Sequence, residues 1–273
     1  MNLRTLRDTP PWDWPQGTGE MLLDILRDDA PSEPDLLLAA ELAGDLTVIN
    51  DELVEALVSV LRRGDRSEGV RGRAAISLGP VLEHADTQGY EDADDLPITE
   101  RALHGLQESL RTLYRDANVP REVRRRILEA AVRAPQDWHG DAIRAAYSSG
   151  DEMWRLTAVF CMRFVRGFEE QILAALDTGN PDIHYEAVVA AGNWGLDAAW
   201  PHVAALVTSR TTDKPLLLAA IDAIASIRPR EAVGMLDDLT DSDDEDVAVA
   251  AEEAMAGADG PSGEDDDDEE CPY

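Results

Sequence analysis

Five histidines, two cysteines and fifty-six carboxylates are the groups in this 273-residue chain that could hold a metal or move protons. Their spacing argues against both. His84, His104, His139, His184 and His202 include no i, i+4 pair, and no His-Glu dipeptide occurs. "IHYE" (183–186) gathers a histidine, a tyrosine and a glutamate, but His184 and Glu186 are two apart and do not share a helix face. Cys161 sits in an apolar run and Cys271 in an acidic one, which fits neither a zinc spacing nor a structural disulfide. "DSDDED" (241–246) lacks the glycine and terminal glutamate of a calcium loop, and "EDDDDEE" (264–270) reads as solvated charge. A P-loop, a nucleophile elbow and a dinucleotide fingerprint are all missing. The expectation is no metal, no cofactor and no reaction.

What remains is binding chemistry. Lys214 is the one lysine among 24 basic residues, so the positive charge is carried by arginine. Phe160, Phe164 and Phe168 are the only phenylalanines, and all lie in "DEMWRLTAVFCMRFVRGF" (151–168). Arginine and aromatic side chains are the types that concentrate at the energetic centres of protein interfaces. The formal net charge of -32 repels nucleic acid and anionic membrane, so neither is an expected partner. That charge is uneven: residues 62–166 carry seventeen acids and seventeen bases, while residues 167–273 carry twenty-six acids and four bases. An apolar leader and a membrane-length run are both missing, which predicts a cytoplasmic protein.

The elements that must position these groups repeat. Aligning on the apolar residue that opens a helix gives Leu36, Val70, Val123, Trp154, Ile183, Leu216 and Val247. Four places on stand Ala40, Ala74, Ile127, Ala158, Ala187, Ala220 and Ala251, small residues that let helices approach closely. Offsets 0, 4, 5 and 8 make one apolar stripe. Three places before the anchor lie Ser67, Asp151, Asn180, Asp213 and Asp244, which are N-cap types. A second set of apolar-periodic segments alternates with these, as in "DELVEALVSVLRR" (51–63) and "REAVGMLDDLTD" (230–241). Few residues are strand formers, and the fold class is all-α. About seven antiparallel helical hairpins are predicted, each burying its stripe against the next, as a right-handed α-solenoid. This array spans 19–257 with an acidic loop insertion at 85–97. Residues 1–18 read as an extended Trp/Pro-rich segment and 258–273 as a disordered acidic tail. Trp12 and Trp14 are expected to fold back over the first hairpin; the other reading is a short recognition peptide.

"EGVRGRAAISLG" (68–79), "REVRRRILEAAV" (121–132) and "PDIHYEAVVAAGNWG" (181–195) resemble HEAT repeats, in particular the short type named after phycobiliprotein lyases. The resemblance covers roughly residues 20–257 and implies a solenoid whose second helices line a concave face. It also implies that Arg71, Arg124, Arg155 and His184, one place after the anchor, form a structural ladder with acids of the neighbouring turn. HEAT-fold deoxyhypusine hydroxylases carry paired His-Glu motifs, which this chain lacks.

The outward offsets of the middle repeats bring up Arg125, Arg126, Arg133, Phe160, Arg163, Phe164 and Tyr185. These seven are the candidate partner-binding groove. The expected function is a non-catalytic scaffold or adaptor that holds a peptide, a helix or an acidic protein surface. A bilin lyase-type or other modifying-enzyme accessory subunit is the alternative, resting on the resemblance alone. A DNA-binding solenoid needs a basic concave face, which the neutral middle does not supply. Whether Phe160 and Phe164 are covered, by a bend or by the 85–97 loop, or open to a partner is the question the structure must answer.

Overall fold

A computed structural model describes residues 2–89 and 96–258. These residues form helices and short 3-10 turns, with no strand among them. They fall into two compact units divided at Val165 and Arg166.

The first unit contains α1 (Leu3–Arg7), α2 (Thr18–Arg27), α3 (Glu33–Leu42), α4 (Asp51–Arg62), α5 (Glu68–Ile76), α6 (Gly79–Gln88), α7 (Glu100–Arg115), α8 (Arg121–Ala131), α9 (His139–Tyr147) and α10 (Glu152–Cys161). Four hairpins are present here, α2/α3, α4/α5, α7/α8 and α9/α10, with the second helices α3, α5, α8 and α10 packed in sequence. The second unit contains α11 (Glu169–Leu176), α12 (Pro181–Asn193), α13 (Trp200–Thr208), α14 (Lys214–Ile227), α15 (Pro229–Thr240) and α16 (Glu245–Ala258). They pair as α11/α12, α13/α14 and α15/α16, with α12, α14 and α16 stacked. The seven expected hairpins are therefore present as helical-repeat units. Among the described residues no helix is long and apolar enough to cross a membrane.

The repeat chemistry works as its residue types dictate. Every member of the offset-four column, from Ala40 to Ala251, is fully buried. The Ser67, Asp151, Asn180 and Asp213 side chains each accept from backbone N–H groups of the first turn they cap. Charges then tie one hairpin turn to the next. Arg121 pairs with the cap Asp151 at 3.0 Å, and Lys214 with the cap Asp244 at 2.7 Å. Backbones come closest where a glycine stands. A Cβ on Gly192 would lie 2.7 Å from Cα of Ala223, and one on Gly44 would lie 2.3 Å from the carbonyl oxygen of Ser77.

Three expectations are corrected. Residues 1–18 are not extended throughout, because Leu3 and Leu6 of α1 are buried and α1 packs on α3. The cover over the first hairpin is thus α1 and not the tryptophans. Trp14 folds back only to donate its indole N–H to the carbonyls of Leu6 and Thr9, while Trp12 stays 79% exposed. The insertion begins as a helix: α6 runs through Gln88 and packs on α8. Residues 90–95 of the insertion and 259–273 of the expected tail lie outside the described residues. Finally, two arginines of the presumed acid ladder have other partners. Arg71 donates from Nε to the carbonyl of Leu61 in the last turn of α4, where helix carbonyls lack intrahelical donors. Arg155 reaches the Tyr147 hydroxyl at the end of α9.

Gly192→Ala is expected to lower the stability of the second unit by about 1–3 kcal/mol, through overpacking against Ala223. Asn180→Ala, which removes a cap, is expected to cost about 1 kcal/mol. Urea unfolding followed by circular dichroism ranks the two.

Candidate functional site

Within the first unit the sequence-derived groove residues divide into two groups with different roles. Arg125 and Arg126 belong to α8, which enters its first turn at Pro120 and Arg121. Arg125 is not on the surface. Its side chain is 2% exposed and donates to both carboxylate oxygens of Glu122, to Oε1 of Glu129 and to the Thr157 hydroxyl of α10. The Thr157 hydroxyl also bonds Glu129. This closed network staples α8 to α10 and removes Arg125 from any groove. Its guanidinium hydrogen bonds are the first cause that holds the Glu122 carboxyl below the usual carboxylate range. Arg126 is half-exposed and shares the same two glutamates, at 3.2 Å to Glu122 and 2.7 Å to Glu129. It borders a crevice of about 360 Å³ lined by Leu37, Gly72, Arg73, Ile76 and Glu122 among others. The missing side chain at Gly72 makes room there, since a Cβ would come 3.2 Å from Cγ of Arg126.

The second group is compact. Phe160 in the last turn of α10 and Phe164 in the turn that follows it have ring centroids 5.5 Å apart at 58°. Two guanidinium groups lie over this pair. Arg163 stands 5.4 Å from the Phe160 centroid and 5.8 Å from that of Phe164. Arg133, just past α8, stands 5.6 and 5.8 Å from the same two rings. Both phenylalanines are half-buried. The question left by the sequence thus has an intermediate answer: the rings are roofed by cations and keep part of their surface free. Arg133 is held from the other side by an ion pair to Glu83 of α6. It passes over Gly79, where a Cβ would come 2.8 Å from its Cδ. Glu83 was not in the sequence-derived site, because α6 beyond Gly79 falls outside the repeat register.

Tyr185 belongs to the second unit, where it stands 36% exposed on α12. Phe168 is buried there as the residue preceding α11. The structure therefore brings together Arg133, Phe160, Arg163 and Phe164, places Arg126 at the crevice on α8, assigns Arg125 to the interior and leaves Tyr185 on a separate unit.

Two histidines emerge that local spacing did not reveal. His184 of α12 and His202 of α13 have Nε2 atoms 2.7 Å apart. His139, fully buried at the start of α9, accepts from the Gln136 N–H through Nδ1 and packs 4.0 Å from the Trp138 ring. Burial lowers its pKa from the ordinary 6.5 to about 4. Among the described residues no three His, Cys, Asp or Glu side chains gather into a group.

Protein-family models give no match to the chain, and no curated protein matches it. Several solved structures are similar to it. A HEAT-like repeats protein from Thermococcus onnurineus NA1 is 14% identical with a TM-score of 0.42, over 88% of this chain and 97% of that one. Human deoxyhypusine hydroxylase, in complex with glycerol, is 18% identical with a TM-score of 0.39, over 93% of this chain and 87% of that one. A designed armadillo repeat protein is 17% identical with a TM-score of 0.35, over 87% and 98%. These likenesses carry nothing about activity.

Replacing Glu129 by alanine leaves Arg125 enclosed with one of its two carboxylate partners and is expected to cost about 3–5 kcal/mol in unfolding free energy. Arg126→Ala, at a half-exposed ion pair, is expected to cost about 1 kcal/mol or less. His139 supplies a pH test with a definite sign. The folded state holds it neutral, whereas the unfolded chain takes up a proton below its ordinary pKa of 6.5. Its contribution is fully present above that pH and is lost as pH falls toward about 4, on the order of 3 kcal/mol in all. His139→Asn keeps an acceptor for the Gln136 N–H and is expected to narrow its stability deficit against the wild type over that window, measured by urea midpoints at each pH.

Proposed function

We propose that the chain is a non-catalytic scaffold whose first unit docks a protein partner on the Arg133, Phe160, Arg163 and Phe164 cluster. The observation that carries this reading is the half-open phenylalanine pair with two guanidinium groups over it. Interface centres are built from large rigid apolar side chains beside arginines that can shed water and take carboxylates. The partner chemistry that fits is a peptide or helix carrying an apolar side chain next to one or more carboxylates. The apolar group would rest against the free edges of the rings, and the carboxylates would meet Arg163 and Arg133. Arg126 and its crevice extend the same helix toward α5 and accept a longer peptide. The protein's work in this reading is to hold one molecule beside another, with no bond made or broken.

The steeply acidic remainder of the chain shapes the choice of partner. Residues 167–273 are net acidic by twenty-two charges and repel acidic ligands, whereas residues 62–166 are balanced. An acidic peptide is therefore repelled least at the balanced stretch 62–166, which carries the cluster. Affinity should fall as salt rises, because part of it is screened charge.

The test uses a partner recovered with the full chain at the salt of its native cell and then purified. Phe164→Ala combined with Arg163→Ala is expected to weaken its binding by about thirtyfold or more, the cost of losing a hot spot of about 2 kcal/mol. Trp12→Ala, at the exposed indole near the N-terminus, is expected to leave calorimetric affinity unchanged. The reverse pattern would reject the cluster as the docking site.

A further inference from the structure

His184 ends a run in its repeat column. The equivalent places in the three preceding repeats hold Arg71, Arg124 and Arg155, which are permanently charged. The imidazole of His184 instead points across the seam between α12 and α13 to His202, with the rings edge-on at 82° and centroids 4.9 Å apart. At 2.7 Å, one Nε2 can donate its proton to the other only if at least one ring is neutral. Two positive imidazolium groups at this distance would repel. Two neutral rings whose Nε2 atoms converge leave a pair of soft nitrogen donors aimed at one point.

From this geometry we infer that His184 and His202 form a two-histidine site for a divalent transition-metal ion of the zinc, nickel or cobalt type. Imidazole nitrogen suits these ions and does not suit magnesium or calcium. A tetrahedral ion with Zn–N bonds of about 2.0–2.1 Å needs its two nitrogens about 3.3 Å apart. The rings must then part by about 0.6 Å, a motion within the reach of side-chain torsions. Both histidines are half-buried, so the ion stays in contact with solvent. Among the described residues no third ligand-type side chain closes with them into a group, so water takes the remaining positions. Asp177 and Asp213 lie near enough for their charges to act on His184, and they offset part of the ion's charge from outside the coordination shell. The site bridges the end of one hairpin and the start of the next, so the bound ion clamps α12 to α13.

Zinc titration of the full chain at neutral pH, in a millimolar excess of magnesium to occupy the carboxylates, tests the site. One zinc per chain is expected to bind under these conditions, and His184→Gln and His202→Gln are each expected to weaken it by about tenfold or more. Zinc is also expected to raise the thermal midpoint of the wild type and not that of the variants. Binding that magnesium abolishes, or that both variants retain at full strength, overturns the inference. Should a variant lose its helical circular dichroism, cobalt(II) with the wild type decides. An intense visible spectrum of nitrogen-ligated, low-coordinate cobalt supports the site, and the weak spectrum of an oxygen-only octahedral ion rejects it.

Discussion

The close approach of the second helices is the constraint on which everything else in this molecule depends. A hairpin of two short helices cannot bury its apolar stripe alone; it needs neighbours on both sides. The Ala40, Ala74, Ala158, Ala187, Ala220 and Ala251 column makes that approach possible, and Gly192 against Ala223 shows how little room is left. A seam packed with methyl groups has no space for large rings. The chain therefore carries few aromatics, and the ones it has are displaced to helix ends and outer faces. Phe160 and Phe164 are the concentrated case. They sit at the end of α10, beyond the stripe, where the nearest groups able to cover them are long arginine side chains.

The arginines follow from the same geometry combined with the charge balance. In a chain with more than twice as many acids as bases, many guanidinium groups find a carboxylate, and several do so across successive repeats. Arg125 shows the limiting form, a buried cation saturated by Glu122, Glu129 and Thr157. Such a network is costly to break and adds little net stability over a well-packed apolar alternative. Its effect is on register: the Thr157 hydroxyl is reached only when α8 and α10 are correctly stacked. Arg133, ion-paired to Glu83, and Arg163 also lie over ring faces, where each contact contributes about 0.5–1 kcal/mol at a partly exposed site.

The repeat was legible in sequence because it rests on side-chain size and period, which a single chain displays. Anchors, the small-residue column and the caps Ser67, Asp151, Asn180 and Asp213 all fell where the helices begin and pack. Arg125 was misplaced for an instructive reason. A helical wheel has one inside and one outside, whereas a helix in a stack has two flanks as well. Offset two on α8 faces the flank where α10 presents Thr157, so a position outward on the wheel is enclosed in the stack. The helix α6 escaped notice because "GPVLEHADTQ" interrupts the repeat period and is followed by an acidic run that dominates the composition. The roof that α6 provides over Arg133 was hidden with it. The His184–His202 contact was invisible because eighteen residues and a turn separate its members, and no local spacing encodes a seam between hairpins.

That contact and the Arg71 contact occupy the same repeat position, and the comparison shows how one column can carry two chemistries. The position one place after the anchor lies at the edge of the apolar stripe, so its polar end group must reach a partner across the seam. An arginine there is always charged and always a donor. It needs an acceptor, and the last carbonyls of the adjoining helix supply one, as Leu61 does for Arg71. A histidine is shorter, can be neutral and presents both a donor and an acceptor nitrogen. It is satisfied by a second histidine, as Arg71 could not be. Substituting His for Arg in this column thus exchanges a fixed charge that locks a hairpin for a pair of neutral nitrogens whose bond depends on protonation and on what else is present to bind them. The repeat scaffold tolerates either because the stripe beneath, at offsets 0, 4, 5 and 8, is apolar and buried in both.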